Sequence, residues 1–267
     1  MLVPEEPLLI KRKKNVVTLI LNRPEKRNSL SLELVTVLLK TLDELADDDR
    51  VRALVIRGSG DKAFCSGFDI RSLPTKRSDH VKDKLKTLNP VEALFNTIVN
   101  FPYPVIAMIN GAAFGAGCEL SICCDIRIGV ETVRIGMPPA KLGIVYPWQG
   151  LQRFIRTIGL KSTQEMFFSG RTYHGNRLKE LGLLDYLVSA DEIESFTVQM
   201  AEEIAANAPM ALTGTKRVIN LLLQSNSLDE GRMAEAESIT EAAFLSEDLK
   251  EGQLAFLEKR MPDFKGK

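Results

Sequence analysis

The sequence predicts an α/β fold, with a strand-rich core in residues 1–190 and a helical C-terminal part in residues 191–267. Short apolar, partly β-branched runs alternate with helical patterns up to Val130, as in proteins built on a mainly parallel sheet. Val51–Arg57 is apolar on both faces, which is typical of a strand covered on both sides. After Pro147 the pattern is mostly helical. Without a long Gly/Ser linker, the boundary near Ala190 is predicted to be a change in packing and not a hinge.

Composition indicates a soluble globular protein that is not drawn to nucleic acid or to a membrane by its overall charge. The 267 residues are 45% hydrophobic and 26% charged, and 35 Lys and Arg balance 35 Asp and Glu. The N-terminus lacks the apolar core of a signal peptide, and no run approaches the roughly 20 apolar residues that span a bilayer. The four cysteines are not spaced as metal pairs. These features predict a cytoplasmic, reducing location.

The first elements follow from turn residues and periodicity. Leu8–Asn22 reads as two strands around a turn at Lys14 and Asn15, which predicts an opening hairpin. Ser31 is a predicted N-cap for a helix whose leucines recur at helical spacing on one face. The Lys-rich segment Thr75–Lys86 has no clear period and is predicted to be a lid.

The segment from Pro104 to Asp125 is the candidate centre of the protein. An apolar strand up to Ile109 is followed by a glycine-rich turn and then by a helix from Ala116. The first N–H groups of such a helix have no intrahelical partner and favour an anion. Glu119 lies on the first turn, within reach of a group that those donors hold.

The second half is predicted to be helical after one strand at Ile126–Val130 and a loop up to Pro147. The predicted helices are Gln149–Ile158, Ser162–Phe168, Gly175–Leu181, Glu192–Asn207, Pro209–Gln224, Leu228–Phe244 and Glu247–Lys259.

Several well-known kinds of site are excluded by their motifs. Gly117 is followed by Cys118 and Glu119, whereas a P-loop needs Gly-Lys-Ser/Thr, and Leu120 stands where the dinucleotide fingerprint needs glycine. The hydrolase motif G-x-S-x-G is absent, and no residues have metal-ligand spacing. His80 and His174 lie in polar contexts and are predicted to be surface residues.

Two loops remain that each offer backbone donors, one around Gly67 and one around Ala116. Two N–H groups that converge on one oxygen would form an oxyanion hole, which stabilises a thioester enolate without any particular side chain. For each loop alone, a tight turn with no further role stays an alternative.

The chain resembles the crotonase superfamily of enoyl-CoA hydratases and isomerases over almost its whole length. The resemblance is carried by VVTLILNRPEKRNSLS, KAFCSGFDI, NGAAFGAGCEL and SEDLKEGQLAFLEKRMPDF. It implies a spiral of ββα turns that carries a CoA-thioester site, a helical C-terminal region for trimerisation, and commonly a dimer of trimers. No metal or redox cofactor is implied, because coenzyme A belongs to the substrate.

The resemblance also implies roles for individual residues. The two enolate-binding N–H groups fall on Phe68 and Ala116, and Glu119 corresponds to the first of two acid/base glutamates. The residues implied to bind coenzyme A are Ser66, Gly67, Asp69 and Ile70 at the adenine, Arg71 near the phosphates, and Phe256 and Lys259 in the tail of the same or a neighbouring subunit. The residues expected to line an apolar acyl pocket are Phe68, Leu73, Phe95, Met137 and Trp148.

One departure narrows the chemistry. The second family glutamate would fall at position 139, which is Pro139, and proline cannot transfer a proton. Residues 138–151 and the tail are instead similar to the methylmalonyl-CoA decarboxylases of the family, which carry a glutamate at the position of Glu119 and a tyrosine at that of Tyr146. Their oxyanion-loop histidine is replaced here by Phe68. Tyr146 as a packing residue stays an alternative.

Three functions follow, in this order. Hydration of a 2-enoyl-CoA with Glu119 as acid/base ranks first, because hydratases are the most numerous members of the family. Decarboxylation of a methylmalonyl-CoA-like thioester with Glu119 and Tyr146 is second. A non-catalytic acyl-CoA-binding or RNA-binding homologue is third, and RNA would need a basic face for which Lys11–Lys14 and Lys82–Lys86 are the candidates.

Overall fold

The computed structural model describes residues 6–68, 90–224 and 230–263. The strands in these ranges are β1 (Leu8–Lys13), β2 (Val16–Leu21), β3 (Ala53–Gly58), β4 (Ala63–Cys65), β5 (Val105–Ile109), β6 (Ala112–Phe114), β7 (Ile126–Val130), β8 (Arg134–Gly136), β9 (Thr172–His174) and β10 (Tyr186–Val188). The α-helices are α1 (Leu32–Ala46), α2 (Pro90–Val99), α3 (Ala116–Ile122), α4 (Trp148–Ser169), α5 (Asn176–Glu180), α6 (Ile193–Ala205), α7 (Pro209–Gln224), α8 (Glu230–Phe244) and α9 (Glu247–Glu258).

The larger sheet has six strands in the order β1-β2-β3-β5-β7-β10. β1 and β2 form the expected antiparallel hairpin, and every other neighbouring pair is parallel. Ile56 of β3 lies opposite Leu19 on one side and Ala107 on the other. β5 is buried along its whole length, which matches the continuous apolar run expected of a parallel strand covered on both faces.

A second sheet of four strands has the order β4-β6-β8-β9. Its strands alternate along the chain with those of the first sheet, since β3 is followed by β4, β5 by β6 and β7 by β8. Each passage of the chain therefore leaves one strand in each sheet. After β6 the chain turns directly into helix α3, which gives the ββα turns that the resemblance implies.

The long helices agree well with the sequence pattern. Ser31 caps α1, because its Oγ accepts a hydrogen bond from the N–H of Leu34 at 3.2 Å. The leucines of α1 predicted to share one face, Leu34, Leu38, Leu42 and Leu45, are all buried. α7 has the predicted bounds. The two helices expected between Gln149 and Phe168 are one element, α4, broken only at Gly159, whose φ is 78°.

The prediction of an almost strand-free second half is wrong. β8, β9 and β10 lie there, and β6 occupies part of the expected glycine turn. Each of these strands has three residues, which is too short to show a period of two. They are strands because neighbouring strands pair with them, as Ile135 pairs with Ala113 and Tyr173.

The C-terminal part is tied to the core by a buried lysine of α7. The Nζ of Lys216 donates to the carboxylate of Asp125 at 2.6 Å and to the carbonyl of Tyr103 at 3.1 Å. The same carboxylate accepts the N–H of Val105 at 2.7 Å, so α7 is joined to the start of β5. The division at residue 190 stays a prediction. None of the helices in the described ranges combines the length and apolarity that crossing a membrane requires.

Asn110 joins β5 to the end of β3, and its removal should destabilise the core. Its Oδ1 accepts the N–H of Gly58 at 3.0 Å, and its Nδ2 donates to the carbonyls of Gly58 at 3.0 Å and Gly60 at 2.5 Å. Asn110→Ala leaves the buried Gly58 N–H without its acceptor, so we expect a loss of about 1–3 kcal/mol in the free energy of unfolding. Denaturant unfolding measures this free energy.

Asn100→Ala, which removes an exposed hydrogen bond, is the control and should change the free energy of unfolding by less than about 0.5 kcal/mol. Equal effects of both changes would contradict the prediction.

Candidate active site

The first candidate oxyanion loop, residues 65–68, is held by the turn at residues 23–28. The N–H of Ser66 donates to the carbonyl of Arg27 at 3.1 Å, and the N–H of Leu30 donates to the carbonyl of Gly67 at 2.9 Å. Asn28 is buried with a φ of 55°, a conformation that asparagine tolerates, and its Nδ2 donates to the carbonyl of Ala63 at 2.7 Å. The turn at residues 23–28 therefore holds the loop that follows β4 in position.

The second candidate loop, residues 114–117, joins β6 to α3. Gly115 has a φ of 52° and a ψ of −124°, a conformation that side chains other than glycine's rarely adopt. Its N–H donates to the carbonyl of Gly136 at 3.1 Å, and its carbonyl accepts the N–H of Glu119 at 3.0 Å, the first bond of the helix. Ala116 is thus the first helical residue, as the sequence predicts, and Glu119 lies on the first turn.

The two loops touch because glycine stands at both contact points. A Cβ atom on Gly117 would lie 2.1 Å from the carbonyl oxygen of Cys65, and one on Gly67 would lie 2.8 Å from the carbonyl oxygen of Phe114 and 3.5 Å from the nitrogen of Ala116. Within the part of the chain that the structure describes, the N–H groups of Phe68 and Ala116 donate to no protein acceptor. Two backbone donors without a partner among these residues therefore lie on loops that touch each other.

Glu119 is buried behind these donors and bonded through both carboxyl oxygens. The hydroxyl of Tyr146 donates to Oε2, and Nη1 of Arg153 donates to Oε1 at 2.7 Å. The Tyr146 ring packs against Phe167, with ring centroids 5.3 Å apart, so the hydroxyl is held in place from behind. The structure therefore brings together Glu119 and Tyr146, two residues that the resemblance assigns to the site.

Gly150, on the first turn of α4, is what lets Tyr146 and Glu119 meet. A Cβ atom there would lie 2.5 Å from Cε1 of Tyr146 and 2.9 Å from Oε1 of Glu119. Every other residue type would push the tyrosine, the carboxyl or the helix away. Gly150 is not among the residues that the sequence predicts for the site.

Arg153 is a further site residue that the sequence analysis missed. Its guanidinium also bonds the carboxylate of Glu92 on α2 and lies over the ring of Phe95, 5.6 Å from the ring centroid. The available signal was weak: an arginine next to the apolar Phe154, in a helix that also carries Gln152 and Arg156. Phe95, expected at the acyl pocket, is thus in contact with the charged part of the site.

Burial and charge shift the titration of these groups. Burial raises the pKa of the Glu119 carboxyl above its usual range, and the hydrogen bond from Tyr146 and the charge of Arg153 oppose that rise. Burial and the nearby Glu119 charge raise the pKa of Tyr146 well above that of an ordinary phenol, so its hydroxyl keeps its proton. Burial works against the Arg153 charge, but Glu92 and Glu119 outweigh it and raise its pKa.

The remaining predicted site residues are placed as follows. Ser66 and Phe68 are partly buried on the first loop, and Gly67 is buried with a φ of 100°. Phe256 is 58% exposed near the end of α9, and Lys259 follows it in the left-handed region. Met137 and Pro139 are buried. Trp148 begins α4, with a buried indole N–H that has no hydrogen-bond partner among the described residues.

Some predicted residues lie outside the described part of the chain: Asp69, Ile70, Arg71, Leu73, His80, the segment Thr75–Lys86 and the lysines of residues 82–86. His174 lies on β9 and is exposed, as expected.

The four thiols do not form a reactive or metal-binding site. Cys65, Cys118, Cys123 and Cys124 are all free and buried. Burial raises the pKa of Cys65 and Cys124 to about 12, which leaves these thiols protonated and poor nucleophiles. Among the residues that the structure describes, no group of His, Cys, Asp and Glu side chains is arranged to hold a metal ion.

Comparison with known proteins settles the family. The family model described as enoyl-CoA hydratase/isomerase matches residues 11–267. The chain belongs to this family, and hence to the crotonase superfamily. Among its relatives, the 2,3-dehydroadipyl-CoA hydratase of Escherichia coli is 34% identical over 97% of this chain and 99% of the relative. The methylmalonyl-CoA decarboxylase of Escherichia coli is 31% identical over 94% of this chain and 95% of the relative.

Solved structures of this family share the fold described above. Methylmalonyl-CoA decarboxylase in complex with 2-nitronate-propionyl-CoA has a TM-score of 0.91 at 29% identity, covering 98% of this chain and 99% of that one. The enoyl-CoA hydratase from Bacillus anthracis has a TM-score of 0.77 at 31% identity, covering 98% of this chain and all of that one. The crotonase-like fold predicted from the resemblance is confirmed. The chain belongs to a family of enzymes, and the relatives named above are a hydratase and a decarboxylase of CoA esters.

Gly150→Ala should separate Tyr146 from Glu119, because the added methyl group overlaps the space of both side chains. Since a displacement of about 1 Å in a site can lower turnover about 100-fold, we expect at least that loss in kcat with an acyl-CoA that the protein converts. Steady-state kinetics and thermal unfolding of the variant check it.

The control is Lys40→Ala on α1, which changes a side chain that is 79% exposed. This variant should keep wild-type turnover. If Gly150→Ala also keeps it, the contact between Tyr146 and Glu119 has no part in catalysis.

Proposed function

We propose that this protein removes carbon dioxide from a 2-carboxyacyl-CoA thioester of the methylmalonyl type. One observation carries the proposal: Glu119 is bonded to Tyr146 and Arg153 through its two oxygens, while the position of the second family glutamate is occupied by Pro139. A hydratase of the two-glutamate type holds its water between two carboxyl groups. Loss of carbon dioxide needs no base to form the enolate, so it suits a site with a single, already bonded glutamate.

In the proposed reaction, the thioester oxygen is bound by the N–H groups of Phe68 and Ala116. The bond between the α carbon and the carboxylate breaks, its electron pair forms the enolate, and carbon dioxide leaves. Each oxyanion donor of this kind contributes about 2.7–4 kcal/mol of transition-state stabilisation. The α carbon then takes one proton from the hydrogen-bonded pair of Tyr146 and Glu119, and that pair regains the proton from water.

The protonation states support this assignment. The raised pKa of Tyr146 keeps a proton on its hydroxyl, which donates to Glu119, and burial raises the pKa of Glu119, so its carboxyl holds a proton more readily than an ordinary glutamate. The likeness to methylmalonyl-CoA decarboxylase, with a TM-score of 0.91, supports the same reaction. Because Phe68 replaces the histidine found there, the oxyanion donor at this position is the backbone alone.

Hydration of a 2-enoyl-CoA is the second candidate. It is favoured by the 34% identity to 2,3-dehydroadipyl-CoA hydratase and by the buried carboxyl of Glu119, which is a suitable proton donor. The sequence alone ranks hydration first on the abundance of hydratases in the family. The bonds from Tyr146 and Arg153 to Glu119 favour the opposite order.

Coenzyme A is proposed to bind as the resemblance implies, with its adenine at Ser66, Gly67, Asp69 and Ile70, its phosphates near Arg71, and contacts from Phe256 and Lys259 of the same or a neighbouring subunit. The exposed ring of Phe256 supports a contact with a ligand or another subunit.

We propose that the reaction needs no metal or redox cofactor, that it runs in the cytoplasm, and that the protein binds neither nucleic acid nor a membrane.

Incubation with methylmalonyl-CoA and crotonyl-CoA in parallel, followed by mass spectrometry, tests the reaction. We expect methylmalonyl-CoA to lose carbon dioxide and, in heavy water, to gain one deuterium at the α carbon. Tyr146→Phe should lower kcat by about 100-fold or more, because proton transfer contributes about 10²–10⁴-fold. Glu119→Gln should have a similar effect.

Tyr186→Phe is the control, since Tyr186 is an exposed tyrosine packed on Phe196 away from these residues, and it should keep full activity. Gain of water on crotonyl-CoA that depends on Glu119 would instead establish hydration. Binding of both esters without turnover of either would make the protein an acyl-CoA-binding homologue.

We further propose that the protein assembles as a homotrimer or a dimer of trimers. Helix α7 leaves large apolar side chains on its surface, including Met210 at 87% and Leu222 at 67% exposure. Apolar exposure of this extent is typical of an interface.

Analytical ultracentrifugation at micromolar concentration should therefore give three or six times the mass of 29.7 kDa. Leu222→Glu should shift the distribution toward smaller species, because a charge would be buried in the interface. Sedimentation of the unaltered protein as a monomer would contradict the proposal.

A further inference from the structure

Arg153 joins three helices at the candidate active site. From α4, its Nη1 donates to Oε1 of Glu119 on α3 at 2.7 Å and to Oε2 of Glu92 on α2 at 3.0 Å. Its Nη2 donates to Oε1 of Glu92 and to Oδ1 of Asn96 at 2.8 Å. One guanidinium thus lies between two carboxyl groups that come from different elements.

The contact with Glu92 fixes the plane of the guanidinium. Both Nη atoms bond the two oxygens of that carboxylate, a fork that lysine cannot reproduce. Asn96 closes the arrangement, because its Nδ2 donates to Oε1 of Glu92 at 3.1 Å. The ring of Phe95 lies beneath the guanidinium. With its plane set in this way, Arg153 can offer Nη1 to Glu119 in one direction only.

Burial strengthens the electrostatic interactions among Arg153, Glu119 and Glu92. The side chain of Arg153 is 12% exposed and that of Glu119 is 4% exposed, so water screens their interaction weakly. Arg153 favours the ionised form of Glu119, whereas the like charge of Glu92 disfavours it. Tyr146 faces the same carboxyl from the loop before α4, and two thiols are buried nearby, Cys118 on α3 and Cys123 at its C-cap.

We propose that Arg153 is a positioning residue that acts on the reaction through Glu119, and that Glu92 moderates its action. Arg153 holds Oε1 so that Oε2 faces Tyr146, and the Glu92 carboxylate takes up part of the arginine's charge. Glu119 can then exchange a proton beside the substrate instead of staying permanently ionised. This inference rests on the proposed function only in taking Glu119 as the group that moves the proton.

The test reads the Glu119 carboxyl directly, without substrate. Protein labelled with carbon-13 at Cδ of glutamate is titrated by NMR, and Glu119→Gln identifies the Glu119 signal. Arg153→Met should raise the titration midpoint by about 1–3 pH units, because an opposite charge at this range lowers a carboxyl pKa by that amount. Glu92→Gln should move it the other way, to lower pH, because a like charge is removed. The pH profile of kcat/KM on whichever acyl-CoA is converted should shift with the same signs.

Arg177→Met is the control, since Arg177 is an exposed arginine of α5 that is paired with Glu165 and Glu180, and it should leave the midpoint unchanged. If Arg153→Met does not fold, Arg153→Lys serves, with a smaller rise because it keeps the charge and loses the fork.

Shifts of opposite sign in the Arg153 and Glu92 variants support the proposal. An unchanged midpoint in the arginine variant, or shifts of the same sign in both, would overturn it. Lack of turnover on every acyl-CoA would defeat the proposed function but not this inference, because the titration needs no substrate.

Discussion

The site depends on the contact between two backbone loops, which only glycine permits. The first turn of α3 packs onto the carbonyl of Cys65 at Gly117, and Gly67 passes close to the nitrogen of Ala116. The parallel pairing of β4 with β6 places the two loops that follow these strands side by side, since Ala63 and Cys65 lie opposite Ala112 and Ala113. This register brings the loop that carries Phe68 next to the loop that carries Ala116. The polar site is built on that contact, because α3 carries Glu119.

The side chains behind the loops are arranged to keep charges buried at a tolerable cost. An unpaired carboxylate in such a place would be strongly destabilising, whereas one that is hydrogen-bonded and ion-paired can persist. Tyr146 and Arg153 supply the bonds to Glu119, and Gly150 leaves the space for them. Helix α3 and residues 146–153 must therefore pack correctly before the carboxyl has its partners, which couples the stability of the core to the chemistry of the site.

Much of the fold could be predicted because it is encoded in local patterns. The opening hairpin, the Ser31 cap, the strand at Ile126–Val130 and the bounds of α7 are all confirmed. The prediction of a helical second half is wrong at β8, β9 and β10. Strands of three residues are defined by the neighbours that they pair with, and those neighbours lie far away in the sequence.

The sequence by itself determined the glycines of the two loops and the place of Glu119 on the first turn of a helix. Each of these is a property of residues adjacent along the chain. Only the tertiary structure decided that Arg153 stands between Glu119 and Glu92, which are 34 and 61 residues away from it. The reason is physical: helical periodicity says which side of a helix is apolar, but not which charged residue on another helix it will face. That choice follows from how the sheets stack the helices, and it sets the charge of the group on which the proposed chemistry depends.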